Sequence, residues 1–186
     1  MRFYKNYTGF TLIELMVTLA VFGIIASIAA PNFMTMIRDN RIATQTNNLV
    51  GSLQLARSEA VKRGVQVTIR STSGTNSIWD QGWSVFTDWD GDGLFEDDGD
   101  ANLCETEEDC VLRTQVTLPN SMTLRTGGNY TVWLAYLPSG LPDSSVGSGD
   151  DIFRFCAPNG DVTNARSVVI STTGRPATQI GASACP

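Results

Sequence analysis

Apolar residues form one long stretch near the start of the chain, whereas beyond it they are spaced among polar residues. The long stretch runs from Leu12 to Ala30 and contains one charged residue, Glu14. A helix of about 20 apolar residues is long enough to cross a lipid bilayer. A carboxylate inside such a helix costs about a few kcal/mol, so it implies a partner. The pattern therefore predicts a membrane helix used in assembly rather than a plain anchor.

The pattern changes after Pro31, where polar residues occupy the other faces of a continuing helical repeat. Small and apolar side chains recur every three or four residues, at Ile42, Thr46, Leu49, Leu53, Ala56 and Ala60. Gly64 follows the cations Lys62 and Arg63, which is typical of a helix C-terminus. We predict a second helical segment over 32–63 whose apolar stripe lies on a globular domain. A role of this stripe in binding a partner helix is the alternative.

Beyond Gly64 the chain shows the short runs that are typical of β-strands. Clusters of Gly, Pro, Asn and Ser separate the runs, and the sequence lacks crossover-helix patterns, which favours antiparallel sheets. The predicted strands cover 65–70, 83–87, 112–118, 122–125, 130–136, 152–156 and 167–171. Residues 137–151 are rich in Ser, Gly and Pro and are predicted to form a mobile loop. We place Trp83 and Trp133 in the core, with a glycan platform as the alternative.

Composition narrows the chemistry that this chain can perform. It has 186 residues, enough for one anchor and one modest domain, and it contains no histidine. Ser–His and Cys–His dyads are therefore impossible, and the commonest metal ligand is missing. We predict that the protein is not an enzyme and needs no cofactor. The formal net charge of −6 also argues against general nucleic-acid binding.

Four cysteines, all beyond the membrane stretch, suggest disulfide bonds in an oxidising compartment. The sequence by itself allows three pairings. We favour Cys104 with Cys110, which closes a short acidic loop, and Cys156 with Cys185, which ties down the C-terminus. Free buried thiols are the alternative.

An acidic segment after the second predicted strand has the spacing that begins a calcium-binding loop. Asp88, Asp90 and Asp92 alternate with other residues and Gly93 follows, so the chain could wrap carboxylate oxygens around one ion. However, Gly99 stands where such a loop normally carries a bidentate Glu. A solvated acidic loop is the favoured interpretation, and a calcium site is the alternative.

The N-terminal residues carry a resemblance to a known family. The segment from Gly9 to Glu14, GFTLIE, resembles the processing site of type IV prepilins and of type II secretion pseudopilins. The resemblance implies that a prepilin peptidase cuts between Gly9 and Phe10 and that Phe10 is then N-methylated. It also implies that Glu14 is the family's acidic residue and Pro31 its helix-perturbing proline.

Physical arguments agree with this processing. An ordinary signal peptide is cut after its apolar stretch, but Ala29-Ala30-Pro31 offers no suitable site. The cut at Gly9 would create a cationic amine at Phe10. Glu14 could neutralise the amine of a neighbouring subunit, because two opposite charges buried together cost far less than either alone.

Two further segments narrow the resemblance. Residues 55–64 and 79–88 resemble segments shared by the FimT/FimU minor pilins and the GspH minor pseudopilins. The implied fold is α+β: a long N-terminal helix, half in the membrane and half amphipathic, packed on an antiparallel β-sandwich, as in pilins. The implied divisions are a leader over 1–9, a membrane helix over 10–31, the amphipathic helix over 32–63 and a β-rich periplasmic domain over 64–186.

The resemblance favours one function and leaves two alternatives open. The first is a minor pilin that primes a type IV pilus or lies near its tip; the second is a GspH-like pseudopilin of type II secretion. The third is DNA capture in natural transformation, for which Arg175, Arg166 and Arg154 would have to converge.

The resemblance also implies partners and a location. The expected partners are major and minor pilins, the prepilin peptidase and the pilus assembly platform. The expected location is the inner membrane of a Gram-negative bacterium, because Arg2 and Lys5 keep the leader cytoplasmic and leave the C-terminal domain in the periplasm.

Overall fold

The computed structural model describes residues 9–97, 104, 108–144, 152–182 and 184–185. Apart from Gly9, the predicted leader over 1–9 lies outside these residues. By their internal contacts, the residues form two compact units, one ending at Asp39 and one beginning at Asn40.

A single helix supplies the N-terminal part of both units. Helix α1 spans Leu12–Arg63, a length of 52 residues, and continues through position 31. Gly64 ends it with a positive φ of 72°, and its N–H donates to the Ala60 carbonyl at 3.0 Å. Lys62 and Arg63 lie in the last turn, where cations interact favourably with the exposed carbonyls. The predicted helix end is thereby confirmed.

The unit that begins at Asn40 contains two antiparallel sheets. Their strands are β1 (Gln66–Ser71), β2 (Trp83–Asp88), β3 (Val111–Gln115), β4 (Thr123–Thr126), β5 (Trp133–Tyr136), β6 (Pro142–Ser144), β7 (Ile152–Cys156), β8 (Arg166–Ile170) and β9 (Pro176–Ile180). The first sheet has the order β3-β2-β1-β5-β6, and the second has the order β4-β7-β8-β9. The predicted α+β class with antiparallel sheets is confirmed.

Each of the seven predicted strands overlaps a strand of the structure, but β6 and β9 were not predicted. Strand β6 has three residues and lies within 137–151, which we expected to be a loop throughout. It begins at Pro142 and pairs with β5, so tertiary context rather than local propensity creates it. Strand β9 begins at Pro176 immediately after the Gly174–Arg175 turn, and its residues are mostly exposed. Because the strand has no buried face, its sequence, PATQI, does not show the alternation of apolar and polar residues that is typical of a strand.

The core joins the second half of α1 to strands of both sheets. Its helical members are Ile42, Leu49, Leu53, Ala56 and Ala60, all fully buried, which confirms the predicted apolar stripe. Trp83 on β2 and Trp79 before it are also fully buried. The Trp83 indole N–H donates to the buried Ser52 hydroxyl at 3.0 Å and so links β2 to the helix.

The prediction that Trp133 belongs to this core is wrong. Trp133 is half-buried and pairs with Arg70, one position away from the core pair Ile69 and Leu134. Successive residues of a strand point to opposite faces. Trp133 therefore lies on the face of the first sheet that points away from the core.

Candidate functional site

The residues around the predicted cleavage position are accessible. Gly9 and Phe10 are exposed, and Phe10 retains 82% of its surface. The Thr11 hydroxyl accepts from the Glu14 backbone N–H at 3.3 Å, and the Glu14 carboxylate accepts from the Thr11 backbone N–H at 3.4 Å. This reciprocal arrangement is a capping box, which satisfies two donors of the first helical turn. Cleavage, methylation and charge neutralisation at these residues stay predictions.

The first half of α1 presents an apolar surface. Among the described residues, α1 is the one helix long and apolar enough to cross a membrane, and the most apolar window of this helix is unburied. The exposed large apolar side chains of this half, up to position 36, are Leu12, Ile13, Leu15, Met16, Val17, Leu19, Val21, Phe22, Ile24, Ile25, Ile28, Phe33, Met34 and Met36, and Phe10 before the helix is exposed as well. Such a surface requires lipid or other apolar helices around it.

The acidic segment, residues 88–97, begins at the last residue of β2 and covers part of the outer face of the first sheet. The Arg70 guanidinium donates to the Gly93 carbonyl at 2.6 Å, and Phe95 packs edge-on against Phe86 with ring centroids 5.5 Å apart. Gly93 lies so close to Trp133 that a Cβ there would come within 2.4 Å of the indole nitrogen. The segment 88–97 therefore has a structural role, because it shields Phe86 and part of Trp133.

Asp88 organises this segment from its buried first position. One carboxylate oxygen accepts from the Gly91 N–H at 2.8 Å. The other accepts from the Gly93 N–H at 3.1 Å, from the Thr68 hydroxyl at 2.6 Å and from the Gln66 amide at 3.0 Å. Four hydrogen bonds satisfy much of the acceptor capacity of a carboxylate, which explains how this charge is tolerated at 1% exposure.

The three predicted metal ligands come together. One carboxylate oxygen each from Asp88, Asp90 and Asp92 lies within 4.8 Å of the others, with Asp88 buried and the other two exposed. The hydrogen bonds of Asp88 explain this arrangement without an ion. The solvated acidic loop stays the favoured interpretation and the calcium site its alternative, which a calorimetric titration of the protein with calcium checks.

Asp109 holds the two ends of the acidic segment. Its carboxylate accepts from the Trp89 backbone N–H at 3.1 Å and from the Glu96 backbone N–H at 3.0 Å. Burial raises the pKa of Asp109, and the negative charges of Asp88 and Asp90 raise it further. The Asp109 carboxyl group therefore joins Trp89 to Glu96 from a partly desolvated position.

The cysteines form two disulfides. Cys104 is bonded to Cys110, directly before β3, and Cys156 at the end of β7 is bonded to Cys185. This is the pairing that we favoured from the sequence. The first bond ties Cys104 to the residue that precedes β3, and the second ties the end of the described chain to the second sheet.

The three candidate DNA-binding arginines do not converge on one surface. Arg154 pairs with Ser167, whereas Arg166 pairs with Phe155, so the two arginines point to opposite faces of the second sheet. Arg175 lies at the β8–β9 turn, at the other end of β8 from Arg166. The condition for DNA capture that the sequence analysis left open, convergence of all three cations on one face, is not met, because strand register separates them.

Arg175 has different cationic neighbours. It lines a surface groove together with Arg57 and Lys62 of α1, and the other lining residues are Gln54, Ser58, Val61 and Pro176. Sequence reasoning missed Arg57 and Lys62 as neighbours of Arg175, since more than 100 residues of chain separate them. The periodicity of α1 places both residues off the buried stripe, which is the signal that could have found them.

Gly174 is required to position Arg175. It has a φ of +78°, and a Cβ there would lie 2.7 Å from the Gly140 carbonyl oxygen. The Tyr136 hydroxyl donates to the Gly174 carbonyl at 2.9 Å, and burial raises the pKa of this tyrosine above its ordinary value. The neutral, buried Tyr136 hydroxyl therefore holds the turn in place by its hydrogen bond. This turn fixes the backbone position of Arg175.

Family models match most of this structure. Residues 45–174 match the family described as type II transport protein GspH, and residues 4–30 match the prokaryotic N-terminal methylation motif. The chain belongs to the GspH family. The matched region includes α1 from Gln45 onward and all strands up to β8, while the methylation motif contains Gly9, Phe10 and Glu14.

Individual relatives of this GspH-family chain come from Pseudomonas aeruginosa. Two proteins described as fimbrial protein are each 33% identical to it over 89 residues. The match covers 48% of this chain and 56% of each relative, so the chain spans about half the length of the curated relatives that it matches.

Solved structures show the same fold. The type IV minor pilin FimU of Pseudomonas aeruginosa, crystallised in space group P21, superposes with a TM-score of 0.53 at 20% identity. The superposition covers 79% of the GspH-family chain and 96% of FimU. A second FimU crystal form gives a TM-score of 0.52, again at 20% identity, with 77% and 99% coverage. The predicted pilin-like fold is confirmed.

Proposed function

We propose that this GspH-family protein is a minor pilin of a type IV pilus, a structural subunit that primes assembly or lies near the filament tip. The observation that carries this proposal is the combination, in one chain, of a methylation motif, an exposed apolar helix and a globular fold like that of FimU. A chain built this way can be anchored first in a membrane and then in the helical core of a filament.

The proposed life cycle follows from the charges of the N-terminal segment. A prepilin peptidase removes residues 1–9, methylates the new amine of Phe10 and leaves the positive charge in place. The positive-inside rule places the leader in the cytoplasm and the domain that begins at Asn40 in the periplasm. The assembly platform then transfers the subunit from the inner membrane to the filament, where it contacts major and minor pilins.

A role as a structural subunit also agrees with the hydrogen bonds of the buried polar side chains. The carboxylates of Asp88 and Asp109 bind backbone N–H groups of the acidic segment, and the Trp83 indole binds Ser52 of the helix. These groups stabilise the fold. We therefore propose a structural rather than a catalytic function.

Deletion of the gene should distinguish a function in a type IV pilus from a function in type II secretion. We expect the deletion strain to lose surface pili and twitching motility, because a priming subunit is needed before the major pilin can polymerise. Secretion of exoproteins should remain at the wild-type level, and complementation should restore motility. Loss of exoprotein secretion with normal twitching would instead assign the chain to a type II secretion pseudopilus.

DNA capture is a second candidate function because three cations line one groove. Arg57, Lys62 and Arg175 could contact phosphates, although Arg57 also donates to the Gly140 carbonyl at 3.1 Å and Lys62 lies 3.5 Å from Glu59. These internal partners weaken the positive potential of the groove. The charged hydrogen bond with Arg63, together with Lys62, lowers the pKa of Glu59, which keeps this carboxylate ionised beside the groove.

If this candidate is correct, Arg175→Ala should reduce DNA affinity in a gel shift at low salt by roughly tenfold, since phosphate contacts dominate such binding. Arg154→Ala is the matched control, because Arg154 lies on the outer face of the second sheet and away from the groove. Equal binding by the wild type and both variants, or no shift at low salt, would reject DNA capture through this groove.

A further inference from the structure

Strand β9 is the last strand of the second sheet, and no described strand pairs with its outer edge. The Ser171 N–H donates to the Arg175 carbonyl at 3.1 Å, and the Gly181 N–H donates to the Ala165 carbonyl at 2.7 Å. The residue pairs at both ends of the β8–β9 ladder are therefore hydrogen-bonded pairs. Hydrogen-bonded and non-hydrogen-bonded pairs alternate along an antiparallel ladder. The residues that direct their backbone groups away from β8 are therefore Pro176, Thr178 and Ile180.

These outward groups have the arrangement that an added strand requires. Thr178 and Ile180 each present an N–H and a carbonyl, and Pro176 presents a carbonyl. Within the described part of the chain, none of these outward groups has a recorded hydrogen-bond partner. Strand addition at a sheet edge uses such a row of alternating donors and acceptors.

The other described sheet edges are protected. The outer edge of β4 is covered by the segment before β2, since the Thr126 N–H donates to the Ser77 carbonyl at 3.3 Å and the Trp79 N–H donates to the Leu124 carbonyl at 3.0 Å. Strand β6 is only three residues long and contains a proline and an aspartate. Strand β3 carries Arg113, and its pairing with β2 is broken by a register shift. Short length, charge and bulges are the usual means of preventing edge pairing.

Strand β9 has no charged residue, and its only protective residue is the first one, Pro176. The sequence from Pro176 to Ile180 is uncharged, and the proline blocks only the start of the edge. Ile180 keeps 77% of its surface exposed. By register with Arg166 and Phe155, it lies on the core-facing side of the sheet, beyond the point where the core ends. An additional strand would extend the sandwich and cover this side chain.

The edge is also held rigidly, which lowers the entropic cost of binding. The Ser167 hydroxyl donates to the Gly181 carbonyl at 2.7 Å, directly after β9. The Ala182 N–H donates to the Val162 carbonyl at 3.0 Å, and the Cys156–Cys185 disulfide then fastens the following residues to the end of β7.

We propose that the outer edge of β9 is an assembly surface that receives an uncharged, extended segment of a neighbouring pilin subunit. The proposal rests on the proposed function, because incorporation into a filament surrounds the domain with other subunits at high effective concentration. The neighbour's backbone pairs with Thr178 and Ile180, and an apolar side chain of its segment packs on the Ile180 side chain. This contact is separate from the contacts of the apolar helix.

Thr178→Pro in the full chain tests the backbone part of the proposal. Proline removes the outward N–H but none of the hydrogen bonds to β8, so an edge position should tolerate it. Thr178→Val is the matched control, since it keeps both the N–H and the β-branched shape. We expect Thr178→Pro to lower the amount of protein in sheared filaments by roughly tenfold, and Thr178→Val to leave it unchanged. Wild-type incorporation of Thr178→Pro would overturn the proposal.

Ile180→Lys provides a second variant that does not depend on how proline affects folding. The side chain is exposed, so the substitution should leave the melting temperature unchanged while a charge blocks the edge. We expect incorporation to fall as it does with Thr178→Pro. If Ile180→Lys assembles normally with an unchanged melting temperature, the edge is not an assembly surface, whatever the result for proline.

A photo-reactive amino acid at position 180 separates this proposal from the proposed function. We expect a cross-link to another pilin subunit in membranes and in filaments, and its loss when Thr178→Pro is added. Absence of the wild-type chain from filaments would contradict the minor-pilin function, while a cross-link in membranes would still support the edge contact. No cross-link in either fraction overturns the edge proposal.

Discussion

Glu14→Ala should abolish incorporation into the filament while leaving the chain inserted in the inner membrane. The apolar segment keeps its length, and removing a carboxylate lowers the cost of insertion by about a few kcal/mol. In the filament, however, the methylated amine of a neighbour's Phe10 would lose its counter-ion. An uncompensated buried charge costs about 3–5 kcal/mol, which is a factor of roughly 100 to 5,000 in an assembly equilibrium.

The measurement is an immunoblot of sheared filaments and of membranes from the same cells. We expect wild-type amounts of Glu14→Ala in the membrane fraction, cleaved at Gly9, and none in the filaments. Thr18→Ala serves as the control, because the Thr18 hydroxyl donates to the Leu15 carbonyl within the same helix and carries no charge. Normal incorporation of Glu14→Ala would refute the role of this residue in docking.

Glu14→Gln distinguishes this role from helix capping. Glutamine can still accept from the Thr11 backbone N–H, so it preserves the capping box seen in the structure. If the charge is needed, Glu14→Gln should fail to incorporate, as Glu14→Ala does. If capping alone is needed, Glu14→Gln should assemble at nearly the wild-type level.

Trp83→Ala should cause the largest loss of folding stability in the domain. The side chain is fully buried between α1 and the sheets, and its truncation leaves a cavity and removes the hydrogen bond to Ser52. Truncation of a buried tryptophan costs about 3–5 kcal/mol of unfolding free energy. For a chain of this size, we expect the melting temperature to fall by roughly 10 °C.

Thermal melts of the detergent-solubilised full chain, followed by near-ultraviolet circular dichroism, measure this effect. Trp83→Phe should cost less, since the ring keeps most of the volume and loses mainly the hydrogen bond. Trp89→Ala is the matched surface control, because Trp89 is 44% exposed, and it should change stability by under about 1 kcal/mol. Equal shifts for Trp83→Ala and Trp89→Ala would contradict the placement of the core.

Much of the fold was predictable because local pattern and tertiary environment agree there. The helix stripe from Ile42 to Ala60 repeats with the helical period and is fully buried. Strand β7 was predicted with the observed bounds, Ile152–Cys156, since apolar side chains recur along it. Strand β9 was not predictable in this way, because it is held by one neighbour and by turns at both ends rather than by burial.

The candidate sites also divide into those that could be predicted from the sequence and those that could not. The cleavage and charge positions are contiguous in sequence, so Gly9, Phe10 and Glu14 could be named without a structure. The carboxylates of Asp88, Asp90 and Asp92 could also be predicted to meet, since one turn contains them all. The convergence of Arg154, Arg166 and Arg175 could not be judged, because it depends on strand register and not on spacing.

From the sequence alone, three features could be predicted: a membrane-length helix, a methylation motif that contains Gly9, Phe10 and Glu14, and two disulfides beyond that helix. These features depend on the spacing of residues that are close in the chain. The surfaces that the domain presents depend instead on tertiary packing and could not be predicted from spacing. Register separated the arginines, joined Arg175 to Arg57 and Lys62, and left the backbone groups of Thr178 and Ile180 at the outer edge of β9, because pairing between distant strands is set by how the whole core packs.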